Sequence, residues 1–189
     1  MKKFSCIISV FLFLWVSAAN AHGPVRQKLQ EKITITAEPA AVWEKIKNYG
    51  DMSWLPTVAK SEADKGNQKG SVRVLTLKDG GTITEELKQY NEKKMEYKYK
   101  ITDMSTVKTI NHSGKQEEIK VLPVTTYSAI LTVKKAKAGG SEVIWTAMYY
   151  RGYMNNNPPP EMNEDAANNA VGAVLKAGLE NLKKVVEAK

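Results

Sequence analysis

The sequence predicts a two-layer α+β fold in which a curved antiparallel sheet of about six to seven strands wraps around a long C-terminal helix. Three observations predict it. Between Leu29 and Arg151, apolar and polar residues alternate in short runs separated by turn residues, the period-2 signature of half-buried strands. After Glu161 the period becomes 3.6 and holds for roughly seven turns. Between the two regimes stand three asparagines and three prolines, residues 155 to 160, which suit neither.

The elements follow in order. Leu29 to Thr36 sets Leu29, Ile33 and Ile35 against Gln30, Lys32, Thr34 and Thr36, a half-buried strand. Pro39 opens a helix whose stripe is Val42, Trp43 and Ile46, and Gly50 is expected to close it. Met52 to Pro56 reads as a brief helix or turn, and Thr57 to Asp64 as a further strand of less regular pattern. Val72–Leu77 and Thr82–Leu87 flank Asp79-Gly80-Gly81, a hairpin turn because glycine accepts positive φ. Lys94–Thr102 alternates Met95, Tyr97, Tyr99 and Ile101 against charged and polar neighbours. Residues 103–120 read as a hairpin extension turning at Asn111 to Gly114. Tyr127–Val133 and Val143–Arg151 are joined around Gly139-Gly140. Asn155 to Asn157 are expected to end the last strand, with the prolines presetting the helical φ at the next element. In that helix Ala167, Ala170, Val171, Val174, Leu175, Gly178, Leu182, Val185 and Val186 share a stripe. Acidic residues crowd its start and lysines its later turns, as the helix dipole favours.

The first 21 residues read as a secretory signal: Lys2 and Lys3, an apolar run from Cys6 to Val16, then Ala19-Asn20-Ala21. The run is too short for a membrane anchor, which needs ~20 residues. Residues 22–189 are then expected to form a single exported domain. The one cysteine, Cys6, leaves with the signal, so disulfides, thiol nucleophiles and thiolate metal sites are excluded. Removing Lys2 and Lys3 leaves 26 basic against 20 acidic residues, a net charge of +6. Export and the lack of an Arg-rich cluster with interleaved aromatics argue against nucleic acid; an acidic protein partner or plain solubility fits the charge.

The order of elements resembles the START-like, or SRPBCC, helix-grip superfamily of lipid-transfer proteins and polyketide cyclases. Six fragments in order, "HGP", "SWLP", "GSVRVLTLKDGGTITEEL", "YKYKI", "KVLPVTTYSAILTV" and "YYRGYMNNNPPPEMNEDAA", resemble the MxaD-type periplasmic proteins of methanol-oxidising bacteria. That resemblance implies a non-enzymatic accessory role beside methanol dehydrogenase and its cytochrome c, assisting electron transfer between them. The 103–120 stretch is longer than the family's link between those strands.

The more apolar phase of each strand is expected to face inward. It brings Arg73 and Glu85 together with Tyr97, Tyr99, Tyr127, Trp145, Tyr149 and Arg151. Two readings stay open. Arg73 and Glu85 could simply pair, or Arg73 or Arg151 could hold an anionic ligand in a solvated cavity walled by tyrosines and Trp145. Trp43 is expected to pack helix on sheet. Trp54 lies on a loop that forms a cavity mouth in the superfamily, and is either core or gate. His112 is expected to be exposed, and His22, at the new N-terminus, could chelate copper with its amine. No His₃ set, nucleophile elbow, phosphate loop or haem attachment sequence is present, so no cofactor is expected. Three functions remain: the accessory role, a binding module for a small amphipathic or anionic ligand, and a cyclase-like enzyme using cavity residues.

N-terminal sequencing of exported protein is expected to begin at His22; material beginning at Met1 would overturn the leader assignment.

Overall fold

The computed structural model describes residues 23–188. The expected leader, its cleavage site and His22 lie outside the described residues. The alternating runs become β1 (Gln27–Ile35), β2 (Val58–Ala63), β3 (Val72–Leu77), β4 (Thr82–Asn91), β5 (Glu96–Met104), β6 (Thr106–His112), β7 (Lys115–Lys120), β8 (Val124–Lys135) and β9 (Ser141–Arg151). The helices are α1 (Pro39–Ile46) and α2 (Glu164–Glu187), the latter preceded by a single 3₁₀ turn at Pro160–Met162.

Seven strands form one antiparallel sheet in the order β1-β9-β8-β5-β4-β3-β2, while β6 and β7 form a separate ribbon. The register aligns the apolar phases into rows: Leu29 faces Ala147, Leu131 faces Trp145, Tyr97 faces Leu131, and Leu75 faces Ile83. Register shifts between Thr84 and Glu85, Leu87 and Gln89, and Thr125 and Ser128 are bulges, which bend a sheet and raise its twist. The concave side that results receives α2.

Val42, Trp43 and Ile46 of α1 are buried, and Trp43 packs on Tyr90 and Tyr97 of the sheet. The helix ends at Ile46, earlier than Gly50. Side chains claim the backbone that would continue it: Gly50 N–H donates to Asn48 Oδ1 (3.0 Å) and Tyr49 N–H to Asn67 Oδ1 (2.8 Å). In α2 the N-cap is Asn163, whose Oδ1 accepts from Ala166 N (2.8 Å). Its buried stripe is Ala167, Val171, Leu175, Gly178, Leu179 and Leu182. Leu179 joins the stripe, whereas Val174 is only half-buried and Val185 is 42% exposed. Gly178 is required by close approach. A Cβ there would lie 2.8 Å from both Leu55 Cδ1 and Trp145 Cζ3, so glycine lets the helix rest directly on an indole.

The last strand stops at Arg151, before the asparagines, because Arg151 gathers the chain that follows it. Its Nε donates to Tyr153 O (2.7 Å), Nη2 to Asn155 O (2.9 Å) and Nη1 to Glu164 of α2. The prolines lead into the 3₁₀ turn, with Pro159 extended, and the cap at Asn163 starts α2. The β6–β7 ribbon turns at Ser113-Gly114, both at positive φ, and folds back onto this joint. Ile119, Tyr153 and Met162 make a second small core there. His112 is half-buried: its ring meets Tyr153 edge-on at 5.2 Å, and its Nε2–H donates to Asn157 O (2.8 Å).

Leu175 is fully buried on α2. Leu175→Asp is expected to cost on the order of 4 kcal/mol in a denaturant melt, since it strands a charge in the core, whereas Val185→Asp stays within about 0.5 kcal/mol. Equal effects would show that the helix does not grip the sheet through this stripe.

Candidate ligand cavity

The bend of the sheet leaves a cavity of about 260 Å³ between its concave face and α2. Its floor is Leu75, Ile83, Glu85, Tyr99, Tyr127 and Trp145, all on the inward phase of β3, β4, β5, β8 and β9. Val174 supplies the helix side, Met52 and Leu55 the loop after α1, and Val121 and Leu122 the base of the ribbon. Thr57, Asp79, Gly80 and Val107 surround the mouth, where Val107 is 60% exposed. At the mouth Gly81 sits at φ 86°, and a Cβ there would meet Ser105 Oγ at 2.6 Å and Val121 Cγ1 at 2.7 Å. The β3–β4 turn and the ribbon base are thus in direct contact.

Four of the residues singled out in the sequence, Glu85, Tyr99, Tyr127 and Trp145, reach the cavity wall. The other five sit outside it. Arg73 is fully buried and committed: Nε donates to Glu85 Oε2 (2.9 Å), Nη2 to the same oxygen, and Nη1 to Tyr49 O (2.6 Å). Its guanidinium also lies 4.1 Å from the Tyr49 ring centroid and 5.2 Å from that of Tyr99. Arg151 is occupied in the joint. Neither arginine is among the residues lining the cavity, and Arg73 is paired with Glu85, the plainer of the two readings left open by the sequence. Tyr97 packs among Trp43, Tyr49 and Tyr99. Tyr149 stacks on Tyr127 at 6.0 Å and donates its hydroxyl to Asn168 Oδ1 (2.9 Å). Trp54 is 2% exposed and 5.3 Å from Trp145, a core residue rather than a gate. Its Nε1 and the Tyr49 hydroxyl are buried without a hydrogen-bond partner among the described residues.

The apolar part of the wall includes residues the sequence did not mark, above all Leu77, Ile101, Val107, Val121 and Val174. The signal for Leu77, Ile101 and Val174 was present as inward phase, but nothing in the pattern separates a side chain that meets another from one that meets space. Val107 and Val121 come from the ribbon, whose fold-back depends on its distant contacts with Tyr153 and Met162.

Burial pulls the Arg73 guanidinium down, but Glu85 and the neighbouring phenols outweigh it and hold the group above its ordinary value. Burial pushes the Glu85 carboxyl up, against the charge and hydrogen bonds of Arg73. Tyr99 accepts from Trp145 Nε1 (3.0 Å), and burial raises both Tyr99 and Tyr127. The wall therefore combines a neutralised carboxylate, protonated phenols and a large apolar surface. Among its described residues there is no histidine, cysteine or lysine to act as a proton shuttle or nucleophile near neutral pH.

Burial pushes Tyr97 up to about 12, from an ordinary 10.0. A phenol raised in the folded state contributes stability fully below its unfolded pKa and loses it as pH climbs through the folded one. Between pH 10 and about 12 the protein should lose on the order of 3 kcal/mol through Tyr97 alone. Alkaline titration is expected to show the buried tyrosinates appearing in the same step as the loss of ellipticity. Tyrosinate absorbance that saturates before any unfolding would mean that solvent reaches these rings.

The fold recurs in solved structures. The protein XoxI from Bacillus cereus superposes with a TM-score of 0.66 at 24% identity, over 85% of this chain and 96% of that one. A protein from Bacillus thuringiensis superposes with a TM-score of 0.63 at 24% identity, over 86% and 98%. One from Nitrosospira multiformis gives 0.62 at 16% identity, over 86% and 97%. At these identities the likeness is one of fold. No curated protein matches the sequence. The profile described as polyketide cyclase / dehydrase and lipid transport matches residues 26–187, nearly the whole described chain. With a seven-stranded sheet gripping a C-terminal helix around a cavity, the chain belongs to that polyketide cyclase / dehydrase and lipid transport family.

Proposed function

We propose that the protein is a non-enzymatic periplasmic binding module that holds one small, largely apolar molecule between the sheet and α2. The observation that carries this reading is the cavity. Its 260 Å³ exceeds the ~150 Å³ that suffices for benzene and approaches the ~300 Å³ at which ordinary ligand pockets begin. A core of this size left open costs packing energy, which a bound ligand would return. The leader expected at the N-terminus supports export, and a wall that is mostly apolar supports holding a molecule of that character.

A second reading, an accessory role in methanol oxidation between methanol dehydrogenase and its cytochrome c, rests on the six ordered sequence fragments. Four of them build the cavity. "SWLP" provides Leu55; "GSVRVLTLKDGGTITEEL" spans β3 and β4; "YKYKI" carries Tyr99; "KVLPVTTYSAILTV" carries Val121, Leu122 and Tyr127. The two readings are compatible, since a carrier can dock beside an enzyme. Docking would draw on the positive charge. Lys98 and Lys100 lie near Glu96 (3.6 Å) and Glu86 (3.1 Å), so the exposed Lys28 and Lys32 of the edge strand β1 are better probes.

Native mass spectrometry of freshly purified protein is expected to show a small adduct that organic extraction removes; a bare mass from every preparation would count against the binding reading. In a coupled assay the protein is expected to speed cytochrome reduction by methanol dehydrogenase at low salt without oxidising methanol itself. Sodium chloride and the Lys28→Glu/Lys32→Glu pair should each diminish that gain, because screening shortens the reach of charge to ~8 Å. An unchanged rate at low salt would remove the accessory role.

A further inference from the structure

If the cavity is a binding site, its wall also states which chemistry it accepts. Glu85 is a wall residue whose hydrogen bonding is one-sided. Its Oε2 receives both Nε and Nη2 of Arg73, and its side chain keeps 6% of its surface open. Its Oε1 accepts no hydrogen bond from any described residue. An acceptor oxygen therefore borders an apolar chamber, where an unmade hydrogen bond is costly.

The charge of that oxygen is already balanced, because Arg73 is in contact with the other one. A cationic ligand would meet the field of Arg73 together with that of Glu85 and gain little. An anionic ligand would face the lone pairs of Oε1, while Arg73 lies outside the cavity wall and is engaged by Glu85 and Tyr49 O. A neutral donor suffers neither penalty. The volume, 260 Å³ against ~150 Å³ for a benzene-sized cavity, suits one to two rings.

We propose that the cavity selects a neutral aromatic or alicyclic molecule of one to two rings bearing a hydroxyl or N–H, which donates to Glu85 Oε1, and that Glu85 excludes carboxylates such as fatty acids. This rests on the binding reading above, and a matched set of probes tells the two apart. The protein, without its leader, is titrated near neutral pH with naphthol, naphthalene and naphthoate, which share a ring system and differ in the group they present. Naphthol is expected to bind about tenfold tighter than naphthalene, the gain of a hydrogen bond to a charged acceptor, with naphthoate weakest.

Glu85→Gln would leave the Arg73 charge buried without its partner and could unfold the protein. The double variant Arg73→Met/Glu85→Leu replaces the whole pair by apolar groups. In it the preference for naphthol over naphthalene should fall to near unity while naphthalene still binds. A cavity-filling Ile83→Trp variant should abolish binding of all three probes. Equal affinities in the parent protein, or naphthoate as the tightest, would overturn the selectivity and leave the cavity as a site. A preference for naphthol that survives in the double variant would overturn the role of Glu85. Absence of binding by all three probes would remove the binding reading and this inference with it.

Discussion

The Arg73–Glu85 ion pair sets terms that much of the structure has to meet. The two residues face each other directly across β3 and β4, on the side of the sheet that the helix covers. A buried guanidinium is tolerated only when its donors are satisfied, and Glu85 takes only part of the fork. On its other side, Nη1 donates to the carbonyl of Tyr49, so the turn after α1 has to be where it is. That turn is held by Asn48 and Asn67, and the Tyr49 ring lies against the guanidinium. One charge on β3 thus fixes the end of α1, the segment that follows it and the rings of β5. The cavity begins where this polar cluster ends, with Glu85 belonging to both.

The sheet was legible because its signal is local. A side chain on a strand points to one face or the other, so parity alone assigned the inward rows of β3, β4, β5, β8 and β9, including the improbable placement of Arg73 and Glu85 indoors. The ribbon was legible as a hairpin through its turn at Asn111 to Gly114, where Ser113 and Gly114 take positive φ. What was not legible depended on geometry between elements. Arg73 and Arg151 have the same parity and the same chemistry, yet one partners a carboxylate across a hairpin and the other gathers the chain leading to α2. Val174 and Leu175 are neighbours on one helix, but only the direction in which α2 lies on the sheet puts Leu175 in the core and Val174 on the cavity. Trp54 read equally as core or gate until Gly178 brought the helix down beside it.

The two arginines divide the concave face into a fixed part and a permissive part. At one end Arg151 binds the 153–155 backbone to the first turn of α2, so the helix leaves the joint at a set angle. In the middle Gly178 holds it against Trp145. The helix is therefore fastened along its length before any ligand is considered. The space left under Val174 is a consequence of where those fastenings lie and of how far the bulges bend the sheet.

The β6–β7 ribbon gives the cavity a property that its volume does not convey. Its tip is tied to the joint through His112 and Asn157, and its base presses on Gly81 through Ser105 and Val121. A two-stranded ribbon anchored at both ends behaves as a strut. The rim it gives the cavity is therefore set by contacts elsewhere in the fold, and a change at the ribbon tip, far along the chain from the sheet, would be felt at that rim.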